Sequence, residues 1–193
     1  SFFPQLVAGP IERSVRLLPQ LKEKFNFNYD RVVSGLRLIF WGFFQKLVIA
    51  DSVAKYVNAV YNNVDNYSGF PLIIATIFFA VQVYNDFAGY SNIAIGSARI
   101  MGYDLMKNFN QPYLSKNLAE FWRKWHISLY SWFNDYLYNG IVIKYRNWGI
   151  HAASIGVILT FTLSGLWHGA AWTFIFWGLL HGIGLSFLVY TNK

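Results

Sequence analysis

Cysteine is absent from the 193-residue sequence, and charged side chains make up only 13% of it. Soluble domains carry about 25% charged residues, so this sequence has roughly half the usual share. The lack of cysteine excludes disulfides, thiolate metal sites and a cysteine nucleophile. The low charge, beside 55% apolar and 20% aromatic residues, argues against a disordered tail, a nucleic-acid-binding module and most soluble enzymes.

Two long stretches contain no Asp, Glu, Lys or Arg, at 66–85 and 147–192. A helix crosses the ~30 Å hydrocarbon core of a membrane with about 20 apolar residues. The first stretch is therefore long enough for one crossing and the second for two, which predicts an all-α, polytopic helical membrane protein. Spans are expected at 32–50, 71–95, 150–166 and 171–190, with a polar connection at 51–70.

Few polar groups fall inside these predicted spans. Arg37 and Lys46 lie near the ends of the first, where long side chains reach the interface. Asn85, Asp86 and Gly89 are expected to interrupt the second. Pairing with a buried cationic side chain is the structural explanation for Asp86.

The net charge of +7 is unevenly distributed. Lys and Arg concentrate at 11–31 and 96–124, whereas 51–70 contains only Lys55. The positive-inside rule then places both basic segments in the cytoplasm, where they also meet anionic membrane lipid.

The proline-rich beginning, 1–31, is interpreted as a re-entrant or interfacial loop followed by a basic stretch. We expect residues 1–193 to form one domain. Because the sequence opens without Met or a signal-peptide pattern, we expect it to be a fragment of a longer chain.

A further helix is predicted to begin near Asn117, since Glu120 follows at the spacing of a capping box. Apolar residues then recur at helical spacing: Leu118, Phe121, Trp122, Trp125, Leu129, Trp132, Phe133 and Tyr136. This periodicity predicts a single amphipathic helix at the membrane interface. His126 falls on its apolar face, where a packing role is the alternative to a chemical one.

Three of the 4 histidines lie in the second uncharged stretch, and ionisable groups at membrane depth are candidates for function. His168 stands between Trp167 and Gly169, where small residues let substrate approach, and an imidazole can take and return a hydroxyl proton. His151 is expected at the interface. His181 is equally consistent with a buried hydrogen bond and an active role.

Metal and serine-hydrolase chemistry have little support. No HExxH or GxSxG motif occurs, and no carboxylate stands near a histidine in the sequence. We predict neither a metal site nor a bound cofactor. Ser164 is placed by helical spacing on the same face as His168.

Four ordered motifs resemble those of the membrane-bound O-acyltransferases. They are SFFPQLVAGPI at 1–11, NFNQPYLS at 108–115, FWRKWHISL at 121–129 and GLWHGA at 165–170. The sequence is most similar to the bacterial branch that contains alginate O-acetyltransferase, with the D-alanyl transfer protein of teichoic acid as a relative. The resemblance covers essentially the whole sequence and implies that family's helical bundle.

The resemblance implies a multi-pass enzyme of the bacterial inner membrane. The histidine of the Trp-His-Gly motif, here His168, would act as general base on a polysaccharide hydroxyl that attacks an acyl thioester, such as acetyl-CoA. His126 would orient the acyl group or stabilise the oxyanion. Further substrate contacts are expected from Trp167, Trp125, Ser164 and Asp135.

The acceptor is implied to be an extracytoplasmic, alginate-like polysaccharide or a periplasmic or extracellular protein that relays acetyl onward. Asn134 replaces an Arg of the branch, and 139–144 replaces its glycine-rich loop, which leaves the acceptor contact open. Peptidoglycan or D-alanyl transfer by the same fold is an alternative. A transporter or channel with proton-relaying histidines is the alternative from another class, although no inverted repeat is visible.

Overall fold

The computed structural model describes Pro4 and residues 9–191, and this part of the chain contains helices and no strands. Within it, four helices are long and apolar enough to cross a membrane: Tyr29–Tyr61, Phe70–Ile100, Ile150–His168 and Trp172–Thr191. The predicted all-α, multi-pass membrane fold is confirmed. The chain divides into two compact units, Ser1–Asn108 and Phe109–Lys193; the expectation of one domain over 1–193 stays a prediction.

The first unit is dominated by two long helical segments. Helix α1 spans Ser14–Lys22. One long segment then runs through α2 at Tyr29–Phe43, a π-helical stretch at Phe44–Ala50 and α3 at Asp51–Tyr61. After a 3₁₀ turn at Val64–Asn66, α4 returns over Phe70–Ile100.

Small residues let these two segments approach closely. A Cβ added to Gly42 would lie 2.5 Å from the carbonyl oxygen of Gly89, and one added to Gly35 would lie 2.7 Å from that of Gly96. Contacts this short exclude any side chain, as expected where membrane helices associate through van der Waals packing.

Several sequence predictions in this unit need correction. Much of the expected polar connection at 51–70 is helical, because Asp51–Tyr61 continues the preceding segment. Helix α4 passes without interruption through Asn85, Asp86 and Gly89. Gln45 donates a hydrogen bond to Asn85, Lys46 pairs with Asp86, and Gly89 allows close approach to Gly42. Within the basic stretch that was expected to follow the loop, Ser14–Lys22 forms α1, and residues 1–3 and 5–8 of the expected re-entrant loop lie outside the described residues.

The second unit begins with short elements and ends with two long helices. A 3₁₀ turn at Pro112–Leu114 precedes α5 at Leu118–Lys124 and α6 at Ile127–Phe133. A π-helical stretch at Asn134–Tyr138, α7 at Asn139–Lys144 and a 3₁₀ turn at Arg146–Trp148 follow. Helices α8 at Ile150–His168 and α9 at Trp172–Thr191 complete the unit.

Helices α8 and α9 form a tightly packed hairpin. A Cβ on Gly182 would lie 2.9 Å from the Cα of Ile158, so the two backbones touch at this level. The buried hydroxyls of Ser154 and Ser186 share a hydrogen bond of 2.5 Å between the same helices. The predicted break between the last two spans is confirmed, and it follows His168.

Candidate active site

A cavity of about 310 Å³ opens in the second unit. Most of its wall is aromatic or aliphatic, and its polar atoms come from a few side chains. It is lined by Ala119, Trp122, Trp125, His126, Leu129, Tyr130, Phe133, Asn134, Tyr138, Val157, Thr160, Phe161, Ser164, Leu185, Leu188 and Val189. An apolar cavity with a few convergent polar groups is typical of a small-molecule site.

His126 enters this cavity from a break between two helices. Helix α5 ends at Lys124, and His126 takes a left-handed conformation with φ of 43° before α6 begins at Ile127. The predicted single amphipathic helix is therefore wrong, although His126 is buried, with 7% of its surface exposed, as its place on the apolar face indicated. Such backbone strain in a non-glycine residue is found at functional sites.

Contacts from the 109–113 loop favour the break. The Asn110 N–H donates a 3.0 Å hydrogen bond to the carbonyl of Lys124 at the end of α5. Phe109 packs edge-on against Trp125 with ring centroids 5.1 Å apart, and Tyr113 lies 5.9 Å from the same ring. Helical periodicity in the sequence does not include these tertiary contacts. They favour an end of α5 at Lys124 over its continuation.

The electrostatic setting keeps His126 neutral. Burial, and secondarily the nearby His168, lower the pKa of His126 to about 4. Burial disfavours the charged imidazolium, and a second imidazole adds repulsion when both are protonated. A neutral ring can donate one hydrogen bond and accept another, which suits it to polarising or orienting a bound group.

His168 lies at the end of α8 among aromatic rings. Its ring centroid is 5.0 Å from that of Trp167 and 5.5 Å from that of Trp177, which meets it edge-on. The Trp167 ring lies 6.5 Å from His126. The side chain of His168 is exposed and does not line the cavity, and the Trp167 ring lies near both predicted histidines.

His181 supports the cavity wall. The indole N–H of Trp122 donates a 3.4 Å hydrogen bond to Nδ1 of His181. Trp177 packs against both, with ring centroids 5.6 Å from Trp122 and 5.0 Å from His181. The structural alternative for His181, a hydrogen bond to a neighbouring helix, is the one observed.

The other predicted site residues divide into two groups. Trp125 and Ser164 line the cavity with His126. Trp167 and Asp135 are exposed and are not among the residues that line the cavity. His151 binds the hydroxyl of Tyr190 at 2.8 Å.

Three hydroxyl groups in the cavity wall were not anticipated. Tyr130 and Tyr138 line it, and burial raises the pKa of both phenols, so they remain hydrogen-bond donors. Thr160 lies one turn before Ser164 on α8. The four-residue spacing between Thr160 and Ser164 could have indicated from the sequence that both line the same site, because positions four apart share a helical face.

Among the described residues, no group of three or more His, Cys, Asp or Glu side chains is placed to hold a metal ion. The cavity instead combines a buried neutral imidazole, phenol and hydroxyl groups, and indole rings. Such a set can bind an apolar chain with a polar head and can exchange protons with it.

Comparison with known proteins gives a consistent result. The model of the membrane-bound O-acyltransferase family matches residues 1–192. The chain is 40% identical to the peptidoglycan O-acetyltransferase of Helicobacter pylori over 96% of its own length, and 40% identical to the probable alginate O-acetylase AlgI of Azotobacter vinelandii over 92%. It is 32% identical to the teichoic acid D-alanyltransferase of Bacillus subtilis over 88%.

The chain spans 35% of the length of each of the first two relatives and 45% of the third. The match extends over nearly all of the chain, so the family assignment does not depend on one motif. The chain belongs to the membrane-bound O-acyltransferase family.

Proposed function

We propose that the chain carries the acyl-transfer site of an inner-membrane enzyme. The enzyme would move acetyl from a cytoplasmic thioester, such as acetyl-CoA, to hydroxyls of an extracytoplasmic polysaccharide. The observation that carries this proposal is the neutral His126 in the wall of a largely apolar cavity. The rings of Trp167 and His168 lie near His126. Membership of an acyltransferase family does not favour a transporter or channel.

The proposed acyl transfer is a direct attack of the acceptor hydroxyl on the thioester and forms no covalent intermediate on the enzyme. His168 takes the proton of an acceptor hydroxyl as its oxygen attacks the thioester carbonyl. The tetrahedral intermediate collapses, the carbon–sulfur bond breaks, and the leaving thiolate receives the proton. General-base assistance of this kind contributes about 10²–10⁴ in rate.

His126 and the phenols would act on the carbonyl oxygen. An N–H from His126 or an O–H from Tyr130 can donate to the oxyanion that forms during attack, because both groups line the cavity in neutral form. A donor in a dry site is typically worth about 10²–10³ in rate. The apolar lining of the cavity would exclude water, which competes with the acceptor for the acyl group.

The acceptor is proposed from the relatives. Alginate-like exopolysaccharide is the first choice, with an acetyl-relay protein as an intermediate carrier. Peptidoglycan is the second choice, and the Helicobacter pylori relative favours it. D-alanyl transfer to teichoic acid is the third.

The test is deletion of the gene in the native host and release of ester-linked groups from separated cell-surface polymers by mild base. Mass spectrometry then identifies each group. Loss of acetate from exopolysaccharide supports the first acceptor, loss from peptidoglycan the second, and loss of D-alanine the third. Unchanged esters in all fractions contradict acyl transfer.

A further inference from the structure

The first unit contains a group of charged side chains. The Nζ atom of Lys46, in the π-helical stretch, lies 2.9 Å from Oδ1 of Asp51 and 2.7 Å from Oδ1 of Asp86. One lysine therefore bridges two carboxylates on two helical segments. We call Lys46, Asp51 and Asp86 the charged face.

Two members of the charged face, Lys46 and Asp86, fall at membrane depth on these two candidate spans. Helix Tyr29–Tyr61 has 33 residues and is about 50 Å long, whereas the hydrocarbon core is ~30 Å thick. Lys46 is about 25 Å from one end and ~22 Å from the other, so a hydrocarbon layer placed anywhere along the helix includes it. The same reasoning places Asp86 inside the layer on Phe70–Ile100. Lys46 therefore lies near the middle of this helix. The sequence prediction that it lies near a span end is wrong.

The charged face points outward from the helix pair. Behind it, Gln45 donates a hydrogen bond to Asn85 over 3.3 Å and accepts one from Asn92 over 2.7 Å. Gln45 is only 4% exposed, so these amides satisfy one another between the helices. The side chains of Lys46, Asp51 and Asp86 are 42%, 46% and 50% exposed.

Lipid cannot cover this face favourably. Hydrocarbon tails offer no hydrogen bonds, and charged groups at membrane depth pair with each other or line watery cavities. The ion pairs occupy one oxygen of each carboxylate. Two carboxylates and one ammonium leave a formal charge of −1, which an apolar neighbour cannot balance.

We propose that the charged face opens into a water-filled cleft within the membrane, and that the cleft admits cations in preference to anions. Water solvates the outer carboxylate oxygens, and the excess negative charge attracts cations. This proposal concerns the first unit and does not depend on acyl transfer.

Cysteine labelling tests it in the full-length protein, after replacement of any cysteines outside this segment. Val83→Cys lies one helical turn from Asp86, is 36% exposed and keeps all three charges. Leu47→Cys is the control, since Leu47 adjoins Lys46 at the same depth and is 58% exposed. Intact cells and inverted vesicles are treated with a cationic and an anionic methanethiosulfonate, with rates normalised to a free thiol.

The cleft predicts that the cationic reagent labels Val83→Cys at least about tenfold faster than Leu47→Cys from one side of the membrane, because a charged reagent does not enter hydrocarbon. The normalised cationic rate at Val83→Cys should also exceed the anionic rate. Asp86→Cys should also label faster than Leu47→Cys, but with little preference for the cationic reagent, because this change removes one of the two carboxylates. If Val83→Cys and Asp86→Cys react no faster than Leu47→Cys from either side, lipid or protein covers the face and the proposal is overturned.

Discussion

Gly165 of α8 faces Gly178 of α9 so closely that a Cβ on Gly165 would lie 3.3 Å from the Cα of Gly178 and would overlap the carbonyl oxygen of Phe174. This contact fixes the hairpin one turn before His168. The position of the Trp-His-Gly segment therefore depends on a residue without a side chain.

Gly165→Ala should destabilise the protein by about 1–3 kcal/mol, the usual effect of overpacking a tight contact. The thermal midpoint of the full-length protein in detergent measures the change. Gly140→Ala is the matched control, since a Cβ on this helical glycine meets nothing within 4 Å. Equal midpoints for the two variants would refute the close-packing argument.

The hydrogen bond from Trp122 to His181 predicts a difference between two substitutions. In His181→Asn the amide oxygen takes the place of Nδ1 and keeps an acceptor, whereas His181→Phe keeps bulk but removes it. Loss of the bond should reduce stability by about 0.5–1.5 kcal/mol in His181→Phe. Thermal unfolding of both variants measures this.

Trp122→Phe provides the double-mutant control. Once the indole N–H is gone, changing His181 to Phe should have little further effect, because partners in one bond are not additive. If His181→Asn and His181→Phe are equally damaging in the wild-type background, the bond is not what His181 contributes.

Glu120 gives a pH-dependent prediction. The Lys124 ammonium at 2.6 Å, and then the Lys116 N–H at 2.8 Å, lower the pKa of this carboxyl. Because the folded pKa lies below the unfolded value of about 4.3, the stabilisation is present above that value and is lost as pH falls through the folded pKa.

The thermal midpoint of wild type should therefore exceed that of Glu120→Gln at neutral pH, and the difference should shrink as pH falls below about 4. Unfolding in detergent at a series of pH values measures it. A difference that stays constant with pH would show that the carboxylate charge does not matter.

The membrane spans were predictable because a hydrocarbon layer imposes a simple rule on composition. The uncharged stretches at 66–85 and 147–192 had to become helices long enough to cross it. The extension through Asp51–Tyr61 was not predictable, because its polar residues resemble those of a loop. Packing against the neighbouring helix and the Lys46–Asp51 ion pair favour helix there.

The cavity was predictable in part. His126 was expected on an apolar face, and it is buried in an apolar wall. The break beside it was not predictable, because it depends on Asn110 and Phe109, which a local helical pattern does not include. The capping prediction needs a small correction: Asn117 accepts from the Glu120 N–H, but the Glu120 carboxylate binds the Lys116 N–H.

Substitutions of His126 can separate the need for its left-handed backbone from the chemical role of its imidazole. His126→Asn and His126→Gly should accumulate in membranes at near wild-type levels, since both residues tolerate positive φ. His126→Val should accumulate less, because a β-branched residue is strained at φ of 43°. Ile127→Val, a conservative change in the adjacent helix, is the control.

Quantitative immunoblotting of membrane fractions measures these levels. Comparable accumulation of His126→Val and His126→Asn would mean that the strained conformation is not required in the folded protein.

The most direct test of the proposed acyl transfer is complementation of a deletion strain with full-length His168→Ala. The polymer that loses its ester in the deletion strain is analysed by mass spectrometry, and protein level is measured in the same membranes. We predict normal protein level and no restored ester. Restoration of near-normal ester content by this variant would contradict the role of His168 as general base.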